Sequence, residues 1–152
     1  MKTPAASSSY TILLADDDEA ISSAYQYFLE QEGYTVIPAY DGNEALAKIQ
    51  KHKPDLVLLD LIMPMKNGFE VLEALNKKKL LAIVPVIVIS NLGQEREVER
   101  CMELGARSYL IKADLSMSAV LRRVRQYLPA ETKTTPVPLK RKAAGAGQRA
   151  KR

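Results

Sequence analysis

A chain of 152 residues, 47% hydrophobic and 26% charged, is long enough for one domain with a real core and too short for two comfortable ones. No apolar run approaches the roughly 18–20 residues that span a bilayer, Met1 to Ser9 lacks the apolar middle of a signal peptide, and one cysteine excludes an internal disulfide, so a reducing, cytoplasmic location is expected. The net charge of +4 is unevenly spread, because from Pro129 onward seven bases face one acid, a net +6 that leaves −2 for everything before it.

Residues 1–9 are small and polar without periodicity and are expected to form a disordered leader. Short apolar runs then alternate with helical patterns five times. The first run, Ile12-Leu13-Leu14-Ala15, precedes Ile21, Ala24, Tyr25, Phe28 and Leu29 at helical spacing, with Gly33 as a stop. The second, Val36-Ile37, precedes Asp41 and Glu44, which resemble a capping box ahead of Ala45, Leu46 and Ile49. After the third, Leu56-Val57-Leu58-Leu59, a helix beginning near Asn67-Gly68 carries Phe69, Leu72 and Leu75. Val86-Ile87-Val88-Ile89 is the fourth, followed by Val98, Cys101 and Met102 and closed by Gly105. Tyr109-Leu110-Ile111 is the fifth, and the last helix holds Met117, Val120, Leu121, Val124 and Leu128 and ends at Pro129.

Three of the runs are continuously apolar rather than alternating, which fits strands buried on both faces of a parallel sheet. Strand followed by helix, five times over, predicts an α/β fold with a doubly wound five-stranded parallel sheet and helices on both faces. Beyond Pro129, Thr-Thr-Pro-Val-Pro, Lys-Arg-Lys and an Ala/Gly stretch cannot bury enough apolar surface to offset ordering entropy. Residues 130–152 are therefore expected to be a disordered basic tail, and 10–129 the folded unit.

Open parallel sheets bind ligands in the crevice at the carboxyl ends of their strands. The first strand ends in Asp16-Asp17-Asp18, the third in Asp60, the fourth in Ser90 and the fifth in Lys112; only the second ends blandly, at Ala39. Three carboxylates gathered at one place repel one another unless a cation sits among them. Hard oxygen ligands with no His or Cys favour Mg2+ or a similar ion such as Mn2+. An Asp carboxylate can act as a nucleophile toward phosphorus, while Lys112 supplies positive charge and Ser90 a hydrogen-bond donor to a phosphoryl oxygen.

The blocks Ile12-Leu-Leu-Ala-Asp-Asp-Asp-Glu19, Ala39-Tyr-Asp-Gly-Asn-Glu-Ala-Leu46, Asp55-Leu-Val-Leu-Leu-Asp-Leu-Ile-Met-Pro64, Asn67-Gly-Phe-Glu-Val-Leu72, Pro85-Val-Ile-Val-Ile-Ser90 and Gly105-Ala-Arg-Ser-Tyr-Leu-Ile-Lys112 stand in the order and spacing of one family. From Tyr10 to Leu128 the chain resembles the response regulator receiver domain of two-component phosphorelays. The resemblance implies a flavodoxin-like fold with strand order 2-1-3-4-5. It implies Asp60 as phospho-acceptor, Asp17 as a direct Mg2+ ligand, Asp16 as a ligand through water, and the backbone carbonyl of Ile62 as a further ligand. It also implies Ser90 as switch hydroxyl, Tyr109 as switch aromatic and Lys112 as the phosphoryl-stabilising lysine. A sensor histidine kinase or phosphotransfer protein would be the donor. Phosphorylation would draw Ser90 inward, let Tyr109 follow, and reshape a docking face of the fourth helix, fifth strand and fifth helix for a downstream protein. The chain would then be a regulatory module and not a turnover enzyme. One departure is Ala113, where the family usually has proline after the lysine; the Lys112–Ala113 bond is left as either trans or a cis bond costing about 3 kcal/mol.

Plainer readings stand beside these. Asp18 reads as the cap of the first helix. For Tyr109 the plainer reading is a half-buried strand aromatic. His52 and the run Arg122, Arg123, Arg125 read as solvated surface, and Cys101 as core packing. Met63 and Met65 either edge the site or fill space. A dehalogenase-like Mg2+-dependent phosphatase using Asp16 as nucleophile is the alternative chemistry, although it leaves the Asp60 motif unexplained. The tail offers weak, salt-sensitive contact with nucleic acid through Lys140-Arg141-Lys142 and Arg149-Ala150-Lys151-Arg152, with no interleaved aromatic residue to stack. With no conventional output domain after Pro129, output is expected through protein docking.

Overall fold

A computed structural model describes residues 10–129; the expected leader and basic tail lie outside the described residues. The elements follow in the order β1 (Thr11–Ala15), α1 (Glu19–Gln31), β2 (Thr35–Ala39), α2 (Gly42–His52), β3 (Leu56–Leu59), α3 (Gly68–Lys77), β4 (Val86–Ser90), α4 (Glu95–Leu104), β5 (Ser108–Ile111) and α5 (Met117–Tyr127). Short 3₁₀ turns occupy Leu80–Ala82, between α3 and β4, and Lys112–Asp114, after β5. The strands form one sheet in the order β2-β1-β3-β4-β5, every neighbouring pair parallel. The parallel doubly wound sheet is the one expected from the strand–helix pattern, and its order is the one the resemblance implies.

Local chemistry fixes where the helices start. The Asp18 carboxylate accepts the Ala20 and Ile21 amides, capping α1 and leaving Asp16 and Asp17 at the strand end. Asp41 accepts the Glu44 amide at 2.7 Å, but the Glu44 carboxylate takes the Tyr40 amide instead of its cap's own, so the expected reciprocal box closes one residue upstream. The complete capping box belongs to α3, where Asn67 and Glu70 exchange bonds of 2.8 and 2.9 Å. Ser116 caps α5 through the Ala119 amide.

Alternation along the strands divides the core in two. Leu13, Ala15, Val57, Leu59, Val86 and Val88 face one layer with Ile49, Leu72 and Cys101 from α2, α3 and α4. Ile12, Leu14, Leu56, Leu58, Ile87 and Ile89 face the other with Leu29 of α1 and Val120 and Val124 of α5. Burial on both faces is why β1, β3 and β4 read as unbroken apolar runs. The edge strands are less buried, and β2 carries Pro38, which a sheet edge tolerates because its outer rim needs no amide donor.

Four expectations about single residues resolve here. Cys101 is fully buried, and burial pushes its thiol up to about 11, which makes it a packing residue with little thiolate character. His52 is exposed. Met63 is buried in the core, whereas Met65 is exposed at a left-handed φ of 68°. The arginines of α5 are not uniformly solvated: Arg123 is half-buried with its guanidinium on the Ser108 hydroxyl, and Arg125 pairs with Glu32 at 3.0 Å.

Candidate functional site

Parallel strands deliver their carboxyl ends to one edge, and there Asp16, Asp60, Ser90 and Lys112 emerge from β1, β3, β4 and β5. Backbone bonds from Asp16 N–H to the Ala39 carbonyl and from Asp60 N–H to the Ala15 carbonyl continue the sheet ladder to its last residue. Both aspartates are therefore held by the scaffold and not by a loose loop. Asp16 is 2% exposed and Asp60 7%, while Asp17 points to solvent. Carboxylate oxygens of the three lie within 4.8 Å of one another.

Lys112 bridges the two buried acids, its Nζ donating to Asp16 Oδ2 at 2.8 Å and to Asp60 Oδ2 at 2.9 Å. The other oxygen of each acid is also engaged: Asp16 Oδ1 accepts the Asp18 amide at 2.9 Å, and Asp60 Oδ1 the Ile62 amide at 3.3 Å. Burial raises the Asp60 carboxyl above its ordinary value, against the opposing hydrogen bond and charge of Lys112, and Asp16 adds to the rise. Burial pulls the Lys112 ammonium down, but its bonds to Asp16 and Asp60 win and its net shift is upward. One ammonium thus faces three clustered carboxylates. The remaining negative charge is what a divalent cation would neutralise, and an all-oxygen donor set with one solvent-facing member suits Mg2+ or Mn2+.

Ser90 is fully buried, and its Oγ accepts the Leu92 amide at 3.2 Å. Tyr109, half-buried on β5, turns its hydroxyl to donate to the carbonyl of the same Leu92. The two side chains therefore hold one residue of the β4–α4 connection from its two backbone groups. Burial, with Cys101 adding to it, pushes the Tyr109 phenol up to about 12, against the opposing hydrogen bond with the Ser90 side chain.

The loop after β3 is shaped by two glycines. A Cβ on Gly68 would fall 2.5 Å from the Asp60 carbonyl, and one on Gly42 2.0 Å from the Lys66 carbonyl. Gly68 donates to the Leu61 carbonyl at 2.9 Å, closing the loop back onto β3. Ile62 sits in this loop, 57% exposed. The peptide bond after Lys112 is trans, as is every other among the described residues, and Lys112 enters a 3₁₀ turn without losing its reach to the acids. Sequence reading missed Tyr25 of α1, which is buried and close enough to Lys112, Asp16 and Asp60 to feel their charges. Its place in an apolar helical stripe gave no sign of this.

The response regulator receiver domain model matches residues 12–125, and the chain belongs to that family. Among curated relatives, the alkaline phosphatase synthesis transcriptional regulatory protein PhoP of Bacillus subtilis is 39% identical over 118 residues, 74% of this chain and 48% of its own length. Response regulator RR06 of Streptococcus pneumoniae is 42% identical over 114 residues, 75% of this chain and 51% of its own. The chain thus spans about half the length of these relatives. Among solved structures, a CheY-like receiver domain protein of Methanospirillum hungatei superposes with a TM-score of 0.74 at 29% identity, covering 84% of this chain and all of that one. The CheX–CheY–BeF3–Mg2+ complex of Borrelia burgdorferi matches with a TM-score of 0.72 at 31% identity, covering 78% of this chain and 89% of that one. Among the described residues, no helix is long and apolar enough to cross a membrane.

Proposed function

We propose that residues 10–129 form the receiver unit of a cytoplasmic phosphorelay protein, which accepts a phosphoryl group from a phosphohistidine donor onto Asp60. The observation that carries this reading is the clustering of Asp16, Asp17 and Asp60 oxygens within 4.8 Å, with Lys112 bonded to two of them. Asp16, Asp17, Asp60 and the Ile62 carbonyl would hold Mg2+ or Mn2+, which supplies charge neutralisation for the incoming phosphoryl group. The similar CheX–CheY complex of Borrelia burgdorferi contains Mg2+ and BeF3, which supports this reading.

An Asp60 oxygen attacks phosphorus, the P–N bond to the donor imidazole breaks, and the imidazole leaves as its electron pair returns to nitrogen. Lys112, already against Asp60, follows the charge onto a phosphoryl oxygen. Ser90 gives up its bond with the Leu92 amide to donate its hydroxyl proton to another. Tyr109 and the loop around Leu92 then repack, and the face of α4, β5 and α5 changes for a downstream protein.

The test is phosphotransfer from acetyl phosphate or a phosphohistidine protein, with and without Mg2+, comparing the natural chain with Asp60→Asn. Labelling should require both the divalent ion and Asp60. Acid-labile label that persists in Asp60→Asn and vanishes in Asp16→Asn would instead assign the dehalogenase-like chemistry to Asp16.

A further inference from the structure

The edge of the sheet opposite the acidic site carries a concavity of about 610 Å³, within the size range of small-molecule sites. Ile49 and Pro54, at the end of α2, form part of its apolar lining, and Leu80, Ile83 and Val84, between α3 and β4, form the rest. Ile83 is 73% exposed, an aliphatic side chain left at the mouth. Lys53 and Lys78 also line the groove, and Lys51, His52, Lys77 and Lys79 beside them are exposed. The one acid in the lining, Asp55, is already engaged, its carboxylate accepting the Thr11 amide at 2.8 Å. No acid occurs anywhere in residues 74–94.

Part of this positive charge has a structural use. Basic groups in the last turn of a helix oppose its negative end, and the Lys53 ammonium donates to the Gln50 carbonyl at 3.1 Å. That occupies one of its three donors. Lys77, in the last turn of α3, has the same use. That leaves Lys78 and Lys79, whose ammonium groups form no ion pair or hydrogen bond among the described residues. Lys53 and Lys79 also hold left-handed φ values of 48° and 61°, where glycine or asparagine would be easier. Backbone geometry gives no reason for lysine at either place.

We propose that this groove binds a small soluble amphiphilic anion, with its apolar body against Leu80 and Ile83 and its charged head between Lys53 and Lys78. Apolar lining alone would accept any hydrophobe; the lysines select the negative one. The chain's own flanks are excluded by sign, because residues 129–152 carry +6 and the only charged side chain in residues 1–9 is Lys2. The groove lies at the far end of the strands from Asp60, so this assignment stands apart from the phosphoryl-acceptor reading.

Octanoate and octanol, which share an alkyl chain and differ in charge, are the probes, titrated into the isotope-labelled full chain and followed by amide chemical shifts. Octanoate should give saturable shifts confined to residues near 49–55 and 78–84, and octanol should bind more weakly. A double variant, Lys53→Gln with Lys78→Gln, should raise the octanoate Kd about fivefold to tenfold while leaving the melting temperature near that of the natural chain. Ile83→Asp should remove the binding. The proposal is overturned by the absence of saturable shifts at millimolar octanoate, by shifts that map elsewhere, by equal affinity for octanol, or by an unchanged Kd in the lysine variant. Groove shifts produced by phosphatidylglycerol vesicles but not by octanoate would assign the surface to a membrane and likewise overturn it.

Discussion

Lys112 is the residue on which the site balances. It satisfies two buried carboxylates at once, yet burial still leaves Asp60 with a carboxyl above its ordinary value. Between the unfolded and the raised folded value, the folded chain keeps a proton that the unfolded chain has released. Stability therefore falls as pH rises through that window, and above it the ionised carboxylate carries a standing penalty. Asp60→Asn should accordingly raise the melting temperature at neutral pH in chelator-treated buffer and flatten the dependence on pH. Added Mg2+ should stabilise the natural chain by about 2.7 kcal/mol at a hundredfold excess over its Kd, and Asp60→Asn by less. Tyr109 gives a second, alkaline signature. With its phenol displaced from 10.0 to about 12, the folded chain holds that proton longer than the unfolded one, so stability falls between those values. Denaturation across that range should show a shallower fall in Tyr109→Phe, and ultraviolet titration should lose a late-ionising phenol.

At the scale of elements, the loop between β3 and α3 is held closely by its neighbours. Gly42→Ala would drive a Cβ into the Lys66 carbonyl, and the loop that carries Ile62 and Met65 must move to admit it. A loss of about 1–3 kcal/mol is expected, together with weaker Mg2+ binding, measured by thermal melts with and without the ion. Asn67→Ala, which removes the complete capping box of α3, should cost about 1 kcal/mol in the same assay. The strands were legible because burial on both faces leaves an unbroken apolar run, as in Leu56–Leu59. Helix starts were legible where a short polar side chain precedes an apolar stripe, as at Asp18 and Asn67. What escaped was set by contacts across the chain. The Gly42–Lys66 approach joins two loops, the Glu44 carboxylate reaches Tyr40 because β2 ends beside it, and Arg123 meets Ser108 only once α5 packs beside β5. The gathering of Asp16, Asp60 and Lys112 could be read, since a parallel sheet sends all its strand ends one way. The pair of hydrogen bonds from Lys112 to the two acids could not, because spacing does not say which charges meet.

For the whole molecule, one sheet serves two cores, so neither layer can loosen without exposing the shared strands. Leu58→Ala, in the layer under α1 and α5, should cost about 3 kcal/mol and lower a single transition seen alike by far-ultraviolet and tyrosine signals. Separate transitions for the two signals would mean that the layers unfold independently. The grip on Leu92, by Ser90 through its amide and Tyr109 through its carbonyl, has a thermodynamic corollary. The two side chains form a single energetic unit, because they interact with each other and each sets the position of the group the other holds. Removing one hydroxyl should already have spent much of what the second could lose. In a double-mutant cycle, Ser90→Ala and Tyr109→Phe should therefore fall short of additivity by about 0.5 kcal/mol or more, and strict additivity would show the two ends of that residue to be independent.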